Sequence, residues 1–186
     1  MPDLIDTYGS AGATAAADWY DAVRDKQRVA GRFRASVPPK RDPGVGPLTG
    51  WAASNATSLE TFQDLALGGY TRRILNYSRS TVTRNAVADP GAGGWMRQGD
   101  GDSCEFCAML IGRGAVYGEH SVDFASHDHC GCVAVPAFRG RARPVRLADD
   151  GKRLTVSGRS DRTNDEQRRV SNERARAWIE SHPNAG

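Results

Sequence analysis

The chain has 186 residues, a formal net charge of +3 and an apolar fraction of 39%. This length fits one domain, or one small domain with an extension. Its apolar runs are too short for a transmembrane helix. The N-terminus M-P-D-L-I-D lacks the basic and apolar regions of a secretory signal. We therefore expect a reducing compartment, in which paired disulfides are rare.

Charge is distributed unevenly along the chain. Residues 139–186 contain 12 Lys/Arg and 7 Asp/Glu, a balance of +5, which leaves −2 for residues 1–138. A basic extension of this kind can contact nucleic acid or an acidic protein surface. The lack of aromatic residues interleaved with the basic ones favours a solvated tail instead.

Residues 3–30 are predicted to form a helix that ends near Gly31. Apolar residues recur every three to four positions, which predicts one buried stripe. The stripe consists of Leu4, Tyr8, Ala11 or Gly12, Ala15, Trp19, and Ala22 or Val23.

The next segment, residues 36–50, is predicted to be a linker or an extended arm. It contains four prolines, which fix φ and remove backbone donors, so a helix is not expected there. A short helical turn is predicted at residues 51–56.

A second long helix is predicted over residues 58–88, ended by Asp89-Pro90-Gly91. Thr57 and Glu60 have the spacing of a capping box, and Gly68-Gly69 is a candidate kink. The expected buried face consists of Leu59, Phe62, Leu65 or Ala66, Tyr70, Ile74, Tyr77 and Thr81. The opposite face is interpreted as a solvated basic surface and carries Arg72, Arg73, Arg79 and Arg84.

The chain changes character after residue 93. Short strands are predicted at 95–97, 114–117 and 133–138, and one or two helical turns at 106–111. So small and loop-rich a unit needs an additional cross-link to be stable. The predicted fold class is therefore α+β, with long N-terminal helices packed on a small zinc-stapled α+β unit and a basic C-terminal extension.

All four cysteines and three of the four histidines lie within residues 104–132, in the patterns C-E-F-C and H-D-H-C-G-C. Zn²⁺ is bound tetrahedrally by nitrogen and sulfur ligands, and a C-x-x-C turn supplies two thiolates. We expect the ligands to be Cys104, Cys107, His127, and one or both of Cys130 and Cys132. His129 is a weaker candidate and is expected to be a hydrogen-bonding neighbour of the ligands.

Other interpretations of this array are two disulfides or four free buried thiols, and the expected reducing compartment argues against disulfides. A catalytic zinc is disfavoured because three or four thiolates lower the Lewis acidity of the ion, and no H-x-E or H-E-x-x-H pattern is present. An HNH-like zinc-stabilised nuclease is the enzymatic alternative, with Asp128 and His129 as its candidate catalytic residues.

The arrays D-G-D-S-C-E-F-C-A-M-L-I-G-R-G-A-V-Y and S-H-D-H-C-G-C-V-A-V-P-A-F resemble the C-terminal region of phage Mu F-like minor head proteins, in the forms carried by phages of actinobacteria. Residues 4–24 are also similar to the helical region that precedes it. The resemblance covers roughly residues 4–138. The family's cysteine and histidine positions fall on Cys104, Cys107, His127, Cys130 and Cys132.

The resemblance implies a minor capsid protein of a tailed phage that acts at the portal vertex in head assembly, DNA packaging or DNA delivery, and that is not an enzyme. Its implied partners are the portal protein and the major capsid protein, with packaged double-stranded DNA as a candidate partner of the basic tail. Three regions are predicted: a helical region at 1–93, a zinc-binding unit at 94–138, and a partly helical or flexible basic extension at 139–186. The family pattern does not explain that extension.

Overall fold

A computed structural model describes residues 2–40, 42–99, 105–118 and 121–138. The predicted extension at 139–186 lies outside these described residues. The elements in chain order are α1 (Pro2–Lys26), α2 (Val45–Asn55), α3 (Leu59–Ala88), β1 (Ala92–Gln98), α4 (Glu105–Ile111) and β2 (Val133–Phe138). Long N-terminal helices precede a small two-stranded sheet, so the predicted α+β class is confirmed. None of the described helices has both the length and the apolar character needed to span a membrane.

Strands β1 and β2 pair antiparallel, with Trp95 opposite Pro136 and Arg97 opposite Ala134. Proline has no backbone N–H to give to the ladder. Trp95 instead exchanges both of its backbone hydrogen bonds with Tyr117, at 2.9 and 3.3 Å. The short strand predicted at 114–117 is thus a single bridge, and β1 lies between Tyr117 and β2.

The conformation of Gly94 makes the Tyr117 bridge possible. Its φ is +117°, and a Cβ there would lie 2.1 Å from the carbonyl oxygen of Tyr117. A side chain at this position would therefore conflict with both the backbone conformation and the bridge.

Helix α1 packs on α3 through the face opposite the predicted one. Ile5, Ala13, Ala17 and Tyr20 are buried against the rest of the protein. The apolar stripe that was predicted to be buried is on the surface, where Leu4, Tyr8 and Trp19 are 49%, 61% and 42% exposed. The prediction was wrong because the packed face combines Ile5 and Tyr20 with small residues between them, and these small residues allow α1 to approach α3 closely. A Cβ on Gly9 would lie 2.6 Å from the ring of Tyr77.

The predicted linker is an extended arm followed by a helix. Ser36 exchanges two hydrogen bonds with the Asn85 side chain of α3, at 2.9 and 2.8 Å. Helix α2 then begins at Val45, so the exclusion of a helix up to residue 50 was wrong. Pro47 lies in the first turn of α2, where the missing N–H would have had no helical partner.

Helix α3 runs without interruption through the predicted kink at Gly68-Gly69. These glycines allow close packing, since a Cβ on Gly69 would lie 2.5 Å from Leu48 of α2. The N-cap is Ser58, whose hydroxyl accepts a hydrogen bond from the backbone N–H of Thr61 at 3.1 Å. The predicted capping box starting at Thr57 was therefore one residue too early. The predicted end at Asp89 is confirmed.

A buried ion pair joins the C-terminal ends of α1 and α3. Arg24 Nε donates to Asp89 Oδ2 at 2.9 Å, and the Tyr20 hydroxyl donates to the same oxygen at 3.2 Å. The other nitrogens of Arg24 donate to the carbonyls of Val29, Ala30 and Gly31. Burial, followed by the negative charge of Asp89, raises the pKa of Tyr20. This network gives the buried guanidinium a carboxylate partner and closes the turn after α1.

Candidate metal centre

Three thiols form a buried group between α4 and the start of β2. The Sγ atoms of Cys107, Cys130 and Cys132 all lie within 4.8 Å of one another. Their residues are 2%, 4% and 1% exposed. Sulfur atoms so close together, with almost no access to water, could hold a metal ion.

The fold brings these cysteines together from two directions. Cys107 is on α4, whereas Cys130 and Cys132 immediately precede β2. An aromatic stack belongs to the same core, in which the Trp95 ring lies 4.5 Å from Tyr117 and 5.5 Å from Phe124. The hydroxyl of Tyr117 donates to the carbonyl of Leu110 in α4 at 2.9 Å. Helix α4 is thereby positioned against β1, which directs Cys107 toward the other two thiols.

His127 lies next to this thiol group. Its Nε2 is 3.1 Å from Cys107 Sγ, and its Nδ1 is 2.6 Å from the carbonyl oxygen of Asp128. A proton on Nδ1 donated to that carbonyl leaves Nε2 with a lone pair. Metal-binding histidines are commonly oriented by such a bond to a backbone carbonyl.

The remaining sequence candidates are placed differently. Cys104 lies outside the described residues. His129 has a φ of +58° and directs its ring to α3, where Nε2 is 3.5 Å from Asp64 Oδ1. The ring also covers Gly68, where a Cβ would lie 2.5 Å from Nε2. His129 therefore contacts α3, and the structure gives it no contact with the thiols.

Asp128 and His129 do not form a catalytic pair. The Asp128 carboxylate lies 3.0 Å from Arg72 Nε, and His129 faces Asp64. Two side chains engaged with different partners on α3 do not activate one another, so the nuclease alternative is not supported.

The predicted solvated basic face of α3 is wrong at Arg79, which is a buried residue. It is 3% exposed and extends from α3 to the thiol group. Its Nε donates to the carbonyl of Cys132 at 2.9 Å, its Nη2 donates to the carbonyl of Cys130, and its Nη1 donates to Asn76 Oδ1 at 3.2 Å. The arginine thereby fixes the backbone that carries two of the three cysteines. Arginines spaced along a helix gave no signal that one of them is buried.

A second buried arginine, Arg97 of β1, approaches the group from the sheet. Its guanidinium lies 3.9 Å from the centre of the Phe124 ring, and Nη2 donates to the carbonyls of Phe124 and Ala125. Its Nε and Nη1 are buried without a hydrogen-bond partner. No carboxylate pairs with Arg79 or Arg97 in the described part of the chain.

Electrostatics couple these two cations to the thiols. Burial lowers the pKa of both guanidinium groups, and the negative charge of the cysteines opposes that shift. The hydrogen bond from Cys107 lowers the pKa of Cys130, and the same bond, with burial, raises the pKa of Cys107. The positive charges of Arg79 and Arg97 act on the sulfurs in the direction of the thiolate, which is the form that binds metal.

The fold and the thiol group together define a small α+β protein with a candidate metal centre. A family model described as VG15 protein matches residues 1–154. The chain belongs to this VG15 family, a family of phage proteins. Comparison with curated proteins and with solved structures found no match.

Proposed function

We propose that this chain is a minor capsid protein of a tailed phage, associated with the portal vertex and acting in head assembly, DNA packaging or DNA delivery. The observation that carries the proposal is the VG15 family match, which covers all of the described residues. The Mu F-like resemblance of the cysteine and histidine array supports the more specific minor head role. The protein is proposed to act by assembly and not as an enzyme.

We further propose that the thiol group binds one structural Zn²⁺ through Cys107, Cys130 and Cys132, with Cys104 or His127 as the fourth ligand. Tetrahedral coordination at about 2.3 Å places zinc-bound sulfurs about 3.8 Å apart. The Cys107 and Cys130 sulfurs are 3.5 Å apart, so a small movement would accommodate the ion. The Nε2 of His127 lies 3.1 Å from Cys107 Sγ but is not within 4.8 Å of all three sulfurs, so its coordination would need a larger movement.

The charges around the thiol group support this assignment. Zinc with three thiolates and one histidine carries a net −1, and zinc with four thiolates carries −2. Arg79 and Arg97 supply two buried positive charges without a carboxylate partner in the described residues. A negatively charged zinc centre therefore accounts for two cations whose burial is otherwise costly.

The role proposed for the metal is structural. When bound, zinc supplies a cross-link between α4 and the segment before β2. The three cysteines are nearly inaccessible, which leaves little room for the open coordination position of a catalytic zinc. Metal content per chain, measured by elemental mass spectrometry on protein purified without added metal, tests this. One zinc per chain is expected; a metal-free protein with the same thermal stability before and after chelation contradicts it.

The exposed stripe of α1 supports assembly with another protein. Leu4, Tyr8 and Trp19 place large apolar side chains on one solvent-facing side of a helix. Contiguous apolar surface of this kind is typical of protein interfaces. We propose that this stripe contacts the portal protein, with the major capsid protein as a second partner and packaged DNA as a partner of residues 139–186.

Co-purification with the portal protein of the same phage tests the assembly role. We expect Tyr8→Ser/Trp19→Ser to reduce recovery of the portal complex at least tenfold. The matched control is Leu67→Ser, because Leu67 is 62% exposed on α3 and away from the stripe. Equal recovery of both variants and the wild type would contradict the proposed contact.

Absence of the chain from purified phage heads would contradict the capsid role itself.

A further inference from the structure

A cavity of about 300 Å³ lies between α3 and the extended arm. Its walls come from residues 38–40 and 42–44 of the arm, from α3, from Ala13 of α1, and from the loop at residues 123–125. Prolines of the arm give it an apolar part. Its volume is at the lower end of the range for small-molecule sites.

The cavity is rich in positive charge. Four cations line it, namely Lys40, Arg72, Arg73 and Arg84, against the two carboxylates of Asp42 and Asp123. A concave surface with excess charge of one sign concentrates the field and attracts ions of the opposite sign. This excess predicts an anionic ligand.

The three arginines differ in how their charges are balanced. Arg72 is paired with Asp128 at 3.0 Å. Arg73 donates only to neutral carbonyls, those of Pro43, Gly44 and Gly69. Arg84 makes no hydrogen bond or ion pair that the structure records among the described residues. Within the part of the chain that the structure describes, the guanidinium groups of Arg73 and Arg84 therefore form no ion pair with a carboxylate.

The surrounding contacts fix the arrangement before any ligand binds. Three carbonyls hold Arg73 in place, so its position does not depend on a ligand. Asn76 accepts hydrogen bonds at Oδ1 from Arg79 and from Ser126 Oγ, at 3.2 and 3.0 Å. Its amide is thereby oriented with Nδ2, a donor, as the remaining free group. Preorganised donors reduce the entropy that a ligand loses on binding.

We propose that this cavity binds a phosphate ester, with Arg84 and Arg73 as the anion-binding side chains and Asn76 as an additional donor. Arginine forks match the oxygens of phosphate in number and direction. The cavity is larger than a bare ion needs, and its apolar part suits an organic group attached to the phosphate. The ester can be a free nucleotide or a nucleotide unit of a nucleic acid. This site is separate from the thiol group, and its test does not depend on the capsid role.

Calorimetric titration of the full chain tests the proposal with three probes: inorganic phosphate, adenosine 5′-monophosphate, and a short single-stranded oligodeoxynucleotide. We expect the monophosphate to bind more tightly than inorganic phosphate. Arg84→Gln should weaken its binding at least tenfold, as expected for loss of one charge-assisted hydrogen bond. Arg84 has no recorded partner among the described residues, so the variant is expected to fold normally, which its melting temperature verifies.

The matched control is Arg32→Gln, which removes the same charge from an exposed arginine outside the cavity. It should change binding less than twofold. If the oligonucleotide binds more tightly than the monophosphate and loses that affinity in Arg84→Gln but not in Arg32→Gln, that result identifies a nucleic acid as the molecule that supplies the phosphate ester. Tight binding of the monophosphate alone identifies a free nucleotide. The proposal is overturned if no probe binds, if Arg84→Gln binds like the wild type, or if an acidic dipeptide competes as strongly as the monophosphate.

Discussion

Two regions next to the C-terminal half of α3 bury arginine in different ways. At the C-terminal end, Arg24 meets the Asp89 carboxylate, and the carbonyls of residues 29–31 take its remaining hydrogens. At the thiol group, Arg79 and Arg97 are equally buried, and their contacts among the described residues are with carbonyls, the Asn76 amide and aromatic rings. The helical layer thus balances its buried charge within the polypeptide. The thiol group depends on sulfur being negatively charged, and a bound metal would maintain that state.

This difference predicts that the contribution to stability is independent of metal in one region and dependent on metal in the other. Breaking the Arg24–Asp89 pair should destabilise the protein whether or not metal is present. Perturbing the region of Arg79 and Arg97 should have consequences that depend on metal. The following experiments separate the two regions, beginning with the largest expected effect.

Cys130→Ser should cause the largest loss, because metal binding and folding of residues 92–138 are expected to be coupled. We expect loss of zinc and of near-ultraviolet circular dichroism from the stacked Trp95 and Tyr117. A chelator added to the wild type should produce the same change, and added to the variant should produce none. If the variant keeps the wild-type melting temperature and spectrum, the structural metal centre is wrong.

Arg24→Met should destabilise the protein by about 3–5 kcal/mol, because it leaves the buried Asp89 carboxylate without its counter-ion. The double variant Arg24→Met/Asp89→Asn should recover part of this loss, since neither charge remains. Denaturant unfolding with and without chelator measures both effects. The loss should be equal in the two conditions; a loss that disappears on chelation would contradict independent charge balance in the helical layer.

Arg97→Met should have opposite effects in the two metal states. With zinc bound, removal of a cation beside thiolates should cost about 2 kcal/mol and weaken zinc retention. Without zinc, the substitution removes a buried cation with two unsatisfied nitrogens and should be neutral or stabilising. Unfolding free energies at matched zinc concentrations give the comparison. The same sign and size in both states would show that Arg97 does not balance the charge of the metal centre.

Ser58→Ala should have the smallest effect, a loss of about 1 kcal/mol with no change in zinc content, because it removes the N-cap of α3 far from the thiols. Thr57→Ala is the matched control and should be nearly neutral, since Thr57 does not cap the helix. Thermal unfolding of the two variants decides between the observed cap and the capping box predicted from sequence. A larger loss from Thr57→Ala would favour the sequence prediction.

Much of the architecture followed from local sequence signals. The end of α3 at residue 89, its start to within one residue, the position of β2 and the α+β class were predicted from capping residues, turn residues and apolar patterning. The buried face of α1 was not, because periodicity shows that apolar residues share a side but not which side packs inward. Both sides of α1 have apolar residues, and the close approach of Gly9 to Tyr77 decided between them.

For the candidate site as well, some features were predicted from the sequence and others were visible only in the structure. Clustering of Cys and His residues within 29 positions, 104–132, indicated a metal centre from the sequence alone. The structure brings together Cys107, Cys130 and Cys132 and directs His129 away from them, which spacing alone left open. The involvement of Arg79 could not be predicted, because a partner 51 residues away in sequence is found only when the helix packs on the loop.

By itself, the sequence determined the main elements: two long helices, a small unit of short strands and a set of thiols with the spacing of metal ligands. These are local properties, set by helix capping, turn chemistry and the ligand preferences of zinc. Only the tertiary structure decided which face of α1 is exposed, that the arm is held against α3, and that arginines of α3 and β1 converge on the thiols and the cavity. Such outcomes depend on which distant surfaces fit closely enough to exclude water, and no local pattern in the chain specifies that fit.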